Sequence, residues 1–100
     1  MNTTINEQNG ELVAILDGRL DTAAAVQTEK DMQPLSDCSG KNVVLDCNKL
    51  EYISSSGLRL FLGVLKVAKV KGSHVYITGM NDDIRNVFSM TGFTNLFEFR

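Results

Sequence analysis

The stretch that most limits what this chain can fold into runs from Leu58 to Val70, where apolar residues recur at helical spacing. At 100° per residue Leu58, Phe61, Leu62, Leu65 and Ala68 share one face, as a helix lying on a sheet requires. A run of three serines and a glycine, Ser54-Ser55-Ser56-Gly57, opens that pattern, and Gly72 closes it. Serine before a helix accepts hydrogen bonds from its unpaired first N–H groups, and glycine after it takes the left-handed backbone that ends it. Two short β-branched runs flank the helix. Asn42-Val43-Val44-Leu45-Asp46-Cys47, bounded by Ser39-Gly40 and by Asn48, reads as a buried strand following a crossover helix; Val75-Tyr76-Ile77-Thr78-Gly79 reads as another strand. A chain organised in this way is an α/β layer protein with a partly parallel sheet.

The remaining segments complete the layer. Glu11 to Leu16 puts Leu12, Ala14 and Leu16 on one side and Val13 and Ile15 on the other, a strand apolar on nearly both faces and therefore expected near the centre. A weaker strand over Thr3 to Asn6 precedes it, and Gln8-Asn9-Gly10 supplies the turn of an antiparallel hairpin. Asp21 or Thr22 can cap a helix that begins with Ala23-Ala24-Ala25 and ends near Pro34. Asn81 caps a last helix that turns Ile84, Val87 and Phe88 inward and stops at Gly92; Leu96 to Phe99 alternates as a closing edge strand. The predicted order is ββαβαβαβ, a mixed sheet of about five strands with helices packed on it. With 100 residues and 43% apolar content, the chain has material for one core, so residues 1–100 are read as one domain.

Charge and composition narrow the function. Ten Lys plus Arg against twelve Asp plus Glu create no field that would favour nucleic acid or an anionic membrane. Leu60 to Val70 carries Lys66 and Lys69 and is too short to span a bilayer, and the N-terminus lacks the features of a secretory signal, so a cytoplasmic location is expected. Cys38 and Cys47 have only His74 for company, which assembles neither a zinc site nor a disulfide framework; a loop thiol and a small hydrophobe in a strand are expected, with no metal and no cofactor. His74 stands apart from any carboxylate pair or Ser/His/Asp order, and Gly57 lacks the lysine and glycine spacing of a phosphate loop, so the chain is not read as an enzyme.

One surface is over-supplied with apolar residues. Leu60, Val64 and Val67 also recur at helical spacing, on nearly the opposite side of the helix from Leu58 and Phe61, with Arg59 and Lys66 between. Either they pack against a neighbouring helix of the same domain, or they form a partner-binding stripe beside the serines. The serines have two readings as well, since a helix cap stabilises by roughly 1 kcal/mol with no regulation attached.

Three ordered segments resemble the STAS family, and within it the bacterial anti-sigma factor antagonists. Gly18-Arg19-Leu20-Asp21 is similar to the family's Gly-x-Leu-Asp after the second strand. Ser55-Ser56-Gly57-Leu58, following Val43-Val44-Leu45-Asp46, is similar to the signature at the start of its second helix. Ile84 to Phe93 is similar to the family's last helix, Val-x-x-x-Phe-x-Met-(Ser/Thr)-Gly-Leu.

The resemblance implies a reversible protein-binding switch. Unphosphorylated, it would bind an anti-sigma factor that is also a serine kinase, release a sigma factor and so regulate transcription; a serine phosphatase would restore it. The implied phosphoacceptor is Ser55, with Asp21, Ser54, Ser56, Gly57, Leu60, Val64 and Val67 in the partner surface. Many antagonists carry Asp immediately before the acceptor, where this chain has Ser54, which leaves Ser54 and Ser56 open as alternative acceptors. The same fold also serves as a constitutive scaffold in stress-signalling assemblies and as an accessory subunit of lipid-transporting ABC complexes.

Overall fold

The computed structural model describes residues 1–100. Its first two strands, β1 (Asn2–Gln8) and β2 (Glu11–Leu20), form a hairpin whose turn residues Asn9 and Gly10 have φ of 52° and 76°. Two successive left-handed residues match the right-handed twist of the flanking strands, which is why an Asn-Gly pair stands there. Helix α1 (Thr22–Asp31) follows, then a 3-10 turn over Gln33–Asp37, β3 (Asn42–Ile53), α2 (Ser55–Val70), β4 (Val75–Thr78), α3 (Asp82–Thr91), a 3-10 turn over Phe93–Asn95 and β5 (Glu98–Phe99). The sheet order is β1-β2-β3-β4-β5, with β1 antiparallel to β2 and every later pair parallel.

The parallel register lines up the core. Leu12, Val43 and Val75 form one row across β2, β3 and β4, and Ala14, Leu45 and Ile77 form another, and all six are buried. On this face lie Ala25 of α1, Leu58, Phe61, Leu65 and Ala68 of α2, and Ile84 and Phe88 of α3, in one continuous cluster. Phe61, Phe88 and Phe97 meet with centroids 5.9–6.5 Å apart, in the tilted and edge-on contacts that aromatic quadrupoles favour. The inward face of α2 is therefore the one its spacing indicates.

The strands depart from expectation at several points. β1 is longer than Thr3–Asn6 because the whole hairpin arm pairs from Asn2 to Gln8. The strand beginning at Asn42 does not stop at Asn48 but continues to Ile53, through two register shifts against β2. β2 is an inner strand, but β3 is the central one. The helices cover only one side of the sheet, so Val13 and Ile15 on the other side are half-buried. The closing strand is only Glu98–Phe99: Leu96 follows a 3-10 turn and is exposed, while Phe97 turns into the core.

The uncovered face is closed at one end by the last residue. The Arg100 guanidinium lies 4.0 Å from the Tyr76 ring centre and pairs with the Glu11 carboxylate at 2.7 Å, a hydrogen bond that holds the Glu11 carboxyl below the usual carboxylate range.

Candidate functional site at the start of the second helix

The second register shift on β3 delivers Ile53 opposite Leu20, and both are buried. The backbone N–H of Ser54 donates to the Leu20 carbonyl at 2.9 Å, so the chain enters α2 anchored to the end of β2. Ser54 is the N-cap: its Oγ accepts from the Gly57 N–H at 3.2 Å, its carbonyl accepts from the Leu58 N–H at 2.9 Å, and the residue is only 8% exposed. Ser55, the first helical residue, is exposed, and Ser56 is half-buried. Three adjacent serines thus occupy three different environments.

Gly57 explains why the motif needs glycine. A Cβ there would come within 2.7 Å of Leu20 Cγ and 2.8 Å of Ile53 Cγ1, both in the core. The absence of a side chain lets the first turn of α2 sit directly on the ends of β2 and β3. The Ser55 hydroxyl is consequently carried by a closely seated turn, and its neighbouring backbone N–H groups lie at the positive end of a helix dipole.

Asp21 stands beside this turn. It caps α1, its Oδ1 accepting from the Ala24 N–H at 2.7 Å, and it follows Leu20, whose carbonyl holds Ser54. The third helix starts at the same edge: Asn81 caps α3 through the Ile84 N–H at 2.8 Å, and its amide donates to the Leu50 and Glu51 carbonyls at 3.3 Å each. The N-termini of α1, α2 and α3 therefore gather at the C-terminal edge of the parallel strands, the edge where α/β sheets hold their sites. The role of Asn81 in tying α3 to β3 had no signal in the sequence beyond its capping position. Arg19 over Tyr52, 4.6 Å from guanidinium to ring centre, is a second such pairing, visible only once the register sets Arg19 opposite Tyr52.

The expected apolar stripe proves to be one wall of a groove. Leu60 and Val64 are half-buried against the core and Val67 is 37% exposed. Opposite them stand Met32 and Leu35, at the end of α1 and in the turn after it, around a cleft of about 280 Å³. Packing against a neighbouring helix and an open apolar surface are thus both present. Val67, twelve residues beyond Ser55, lies about 18 Å along the helix from it, so the serines and the far end of the groove are separate parts of one surface.

No cluster of three or more His, Cys, Asp or Glu is placed to hold a metal ion, and no helix is long and apolar enough to cross a membrane. Cys38 and Cys47 are both buried and free, and burial together with the Asp46 charge pushes the Cys47 thiol up to about 12, which makes it a poor nucleophile. His74 is exposed, its Nδ1 2.9 Å from Glu98 Oε2 and its ring stacked near Tyr76.

The model of the STAS domain matches residues 2–100. The chain belongs to the STAS domain family. BtrV of Bordetella bronchiseptica, named as a candidate anti-sigma factor antagonist, is 34% identical to this STAS chain over 97 residues, covering 97% of it and 84% of the relative. The anti-sigma-B factor antagonist of Staphylococcus aureus (strain NCTC 8325) is 29% identical over 79 residues, covering 79% of this chain and 73% of its own. Among solved structures, SpoIIAA, the Bacillus cell fate determinant, superposes in its phosphorylated form with a TM-score of 0.73 at 18% identity, covering 99% of this chain and 91% of that one. In its unphosphorylated form it gives 0.75.

Proposed function

We propose that this STAS domain is an anti-sigma factor antagonist, a binding protein rather than a catalyst, whose affinity for its partner is set by phosphorylation of Ser55. Support for the role comes from the relatives named as anti-sigma factor antagonists, which align with most of the chain. The observation that carries the choice of residue is the contrast among the serines: Ser54 is buried with its hydroxyl bonded as a cap, Ser56 is half-buried, and Ser55 is exposed at the first helical position.

The same contrast accounts for serine in place of the aspartate that many antagonists carry before the acceptor. An N-cap needs a short side chain with an acceptor oxygen, which aspartate and serine both supply. Ser54 meets that need here, so the substitution keeps the turn that presents Ser55 while removing a negative charge from beside it.

In the proposed reaction the partner kinase transfers the γ-phosphoryl group of ATP to Ser55 Oγ, and ADP and the hydroxyl proton leave. The new group carries about −1.5 to −2 charges. Its position at a helix N-terminus suits the domain itself, because N–H groups and the dipole favour an anion there. Ser54 and Gly57, expected in the partner surface, are buried and shape the turn instead. A partner docked on Asp21, Ser55, Ser56 and the Leu60–Val64–Val67 groove meets that charge at its interface, where repulsion and desolvation separate the two proteins. A phosphatase then restores the binding form.

The test is mass spectrometry of the protein after incubation with ATP and candidate serine-kinase anti-sigma factors, beside Ser55→Ala and a binding assay. One phosphate confined to Ser55, with weaker partner binding, is the expected result. A protein left unmodified by every candidate kinase, yet bound by one of them, overturns the switch in favour of a constitutive scaffold.

A further inference from the structure

Arg59 is the one arginine of four without a partner. Arg19 lies over Tyr52, Arg85 reaches the Met80 carbonyl at 3.5 Å, and Arg100 pairs with Glu11. The other ion pairs, Lys41 with Glu7 and His74 with Glu98, involve different residues as well. Arg59 is exposed, stands at the lip of the groove, and follows Ser55 by four residues on the same helix.

Resting on the reading of Ser55 as the acceptor, we propose that Arg59 is the intramolecular counter-ion of the phosphorylated serine: free at the groove when Ser55 is bare, and drawn to the phosphate when it is modified. Residues four apart on a helix lie on one side, with Cβ atoms about 5–6 Å apart. The Cα–Cβ bond of a helical residue tilts toward the N-terminus, so a long side chain at position 59 extends over the turn that carries Ser55. An anion preceding a cation by four residues is the favoured order of such a pair. The guanidinium fork matches two phosphate oxygens at once, which an ammonium does not. The first turn of α2 contains no acidic residue and its cap is the uncharged Ser54; the carboxylates nearby belong to the α1 side, Glu29 lining the same groove and Asp21 beside the turn, and neither forms an ion pair with Arg59.

This deepens the switch. Phosphorylation adds negative charge to the surface and, in the same step, withdraws a positive charge from the lip of the groove. A partner that offers a carboxylate to Arg59 loses that contact as well as meeting the phosphate.

The experiment installs phosphoserine at position 55 of the full chain during synthesis, without any kinase, and follows the phosphate by phosphorus NMR as pH is varied. An arginine in contact favours the dianion and lowers the second phosphate pKa. The expected value in the otherwise native chain is about 0.3 of a unit below that in Arg59→Gln, with Arg59→Lys retaining part of the difference and Lys66→Gln leaving it unchanged. Equal titration of the native chain and Arg59→Gln overturns the proposal, as does a Lys66→Gln shift as large as that of Arg59→Gln, which would reduce the effect to overall charge. Kinase-directed mass spectrometry separately decides whether Ser55 is the acceptor, so the two readings fail independently.

Discussion

Gly57 and Gly63 lie less than two turns apart on α2, and the helix around them is packed in opposite ways. At Gly57 an added Cβ meets Leu20 and Ile53 at 2.7–2.9 Å; at Gly63 it meets nothing within 4 Å. The first turn rests on the strand ends with no space for a methyl group, whereas the middle of the helix is open on the groove side. One glycine is required by a close approach. The other leaves a gap beside Leu60 and Val64 into which a partner side chain can settle. The surface thus has a rigid part that presents a hydroxyl and an apolar part that is left unfilled.

The largest expected effect in that comparison is at Gly57. Alanine there gains helix propensity worth about 1 kcal/mol but overpacks the core, and the overlap with two buried side chains wins. Gly57→Ala is expected to lower stability by about 2 kcal/mol in denaturant unfolding. A stability equal to the native chain's would show that the first turn can lift off the strands, and the division between rigid and open would be lost. Ser54→Ala comes next, with a loss of about 1 kcal/mol for the cap. Ser54→Asp retains an acceptor for the Gly57 N–H and is expected to hold most of that stability, since both residues cap well. Gly63→Ala has the opposite sign, a gain of up to about 1 kcal/mol. Because it narrows the groove, it is expected to weaken partner binding while raising the unfolding midpoint; unchanged affinity would separate the groove from the interface.

Much of this was legible in the chain because local signals agreed with the fold. The spacing from Leu58 to Ala68, the caps offered at Asp21 or Thr22 and at Asn81, and the Asn9-Gly10 turn each describe a structure that neighbouring residues can specify by themselves. What escaped depends on contacts distant in sequence. The extension of β3 to Ile53 was hidden because its register shifts break the alternation on which a strand is recognised: Leu50 and Ile53 are buried, while Asn48, Lys49, Glu51 and Tyr52 are exposed. Asn48 itself looks like a terminator, but its N–H and amide both bond to Asp46 Oδ1, at 3.0 and 2.8 Å, within the strand. The second wall of the groove was likewise invisible, since Met32 and Leu35 come from a turn that continues past α1 around Pro34 and meets α2 only in three dimensions. At the site, the pattern indicated three serines at a helix start without distinguishing them. Only the bond from Ser54 to Leu20 and the tight seat at Gly57 show which serine faces inward.

Ser55→Ala is the smallest perturbation and the most discriminating companion to Ser54→Ala. Ser55 is exposed at the first helical position, and alanine is the better helix former, so its replacement is expected to change stability by less than about 0.5 kcal/mol. Two substitutions of the same kind, one residue apart, should then differ in what they remove: the cap in one case, the modifiable hydroxyl in the other. If unfolding measurements instead assign the larger loss to Ser55→Ala, the capping hydroxyl belongs to Ser55, the helix starts one residue later, and the exposed serine at its first position becomes Ser56. If Ser55→Ala unfolds like the native chain and no longer accepts phosphate, support of the fold and reception of the signal reside in neighbouring residues, and the signal can change without unsettling the turn that carries it.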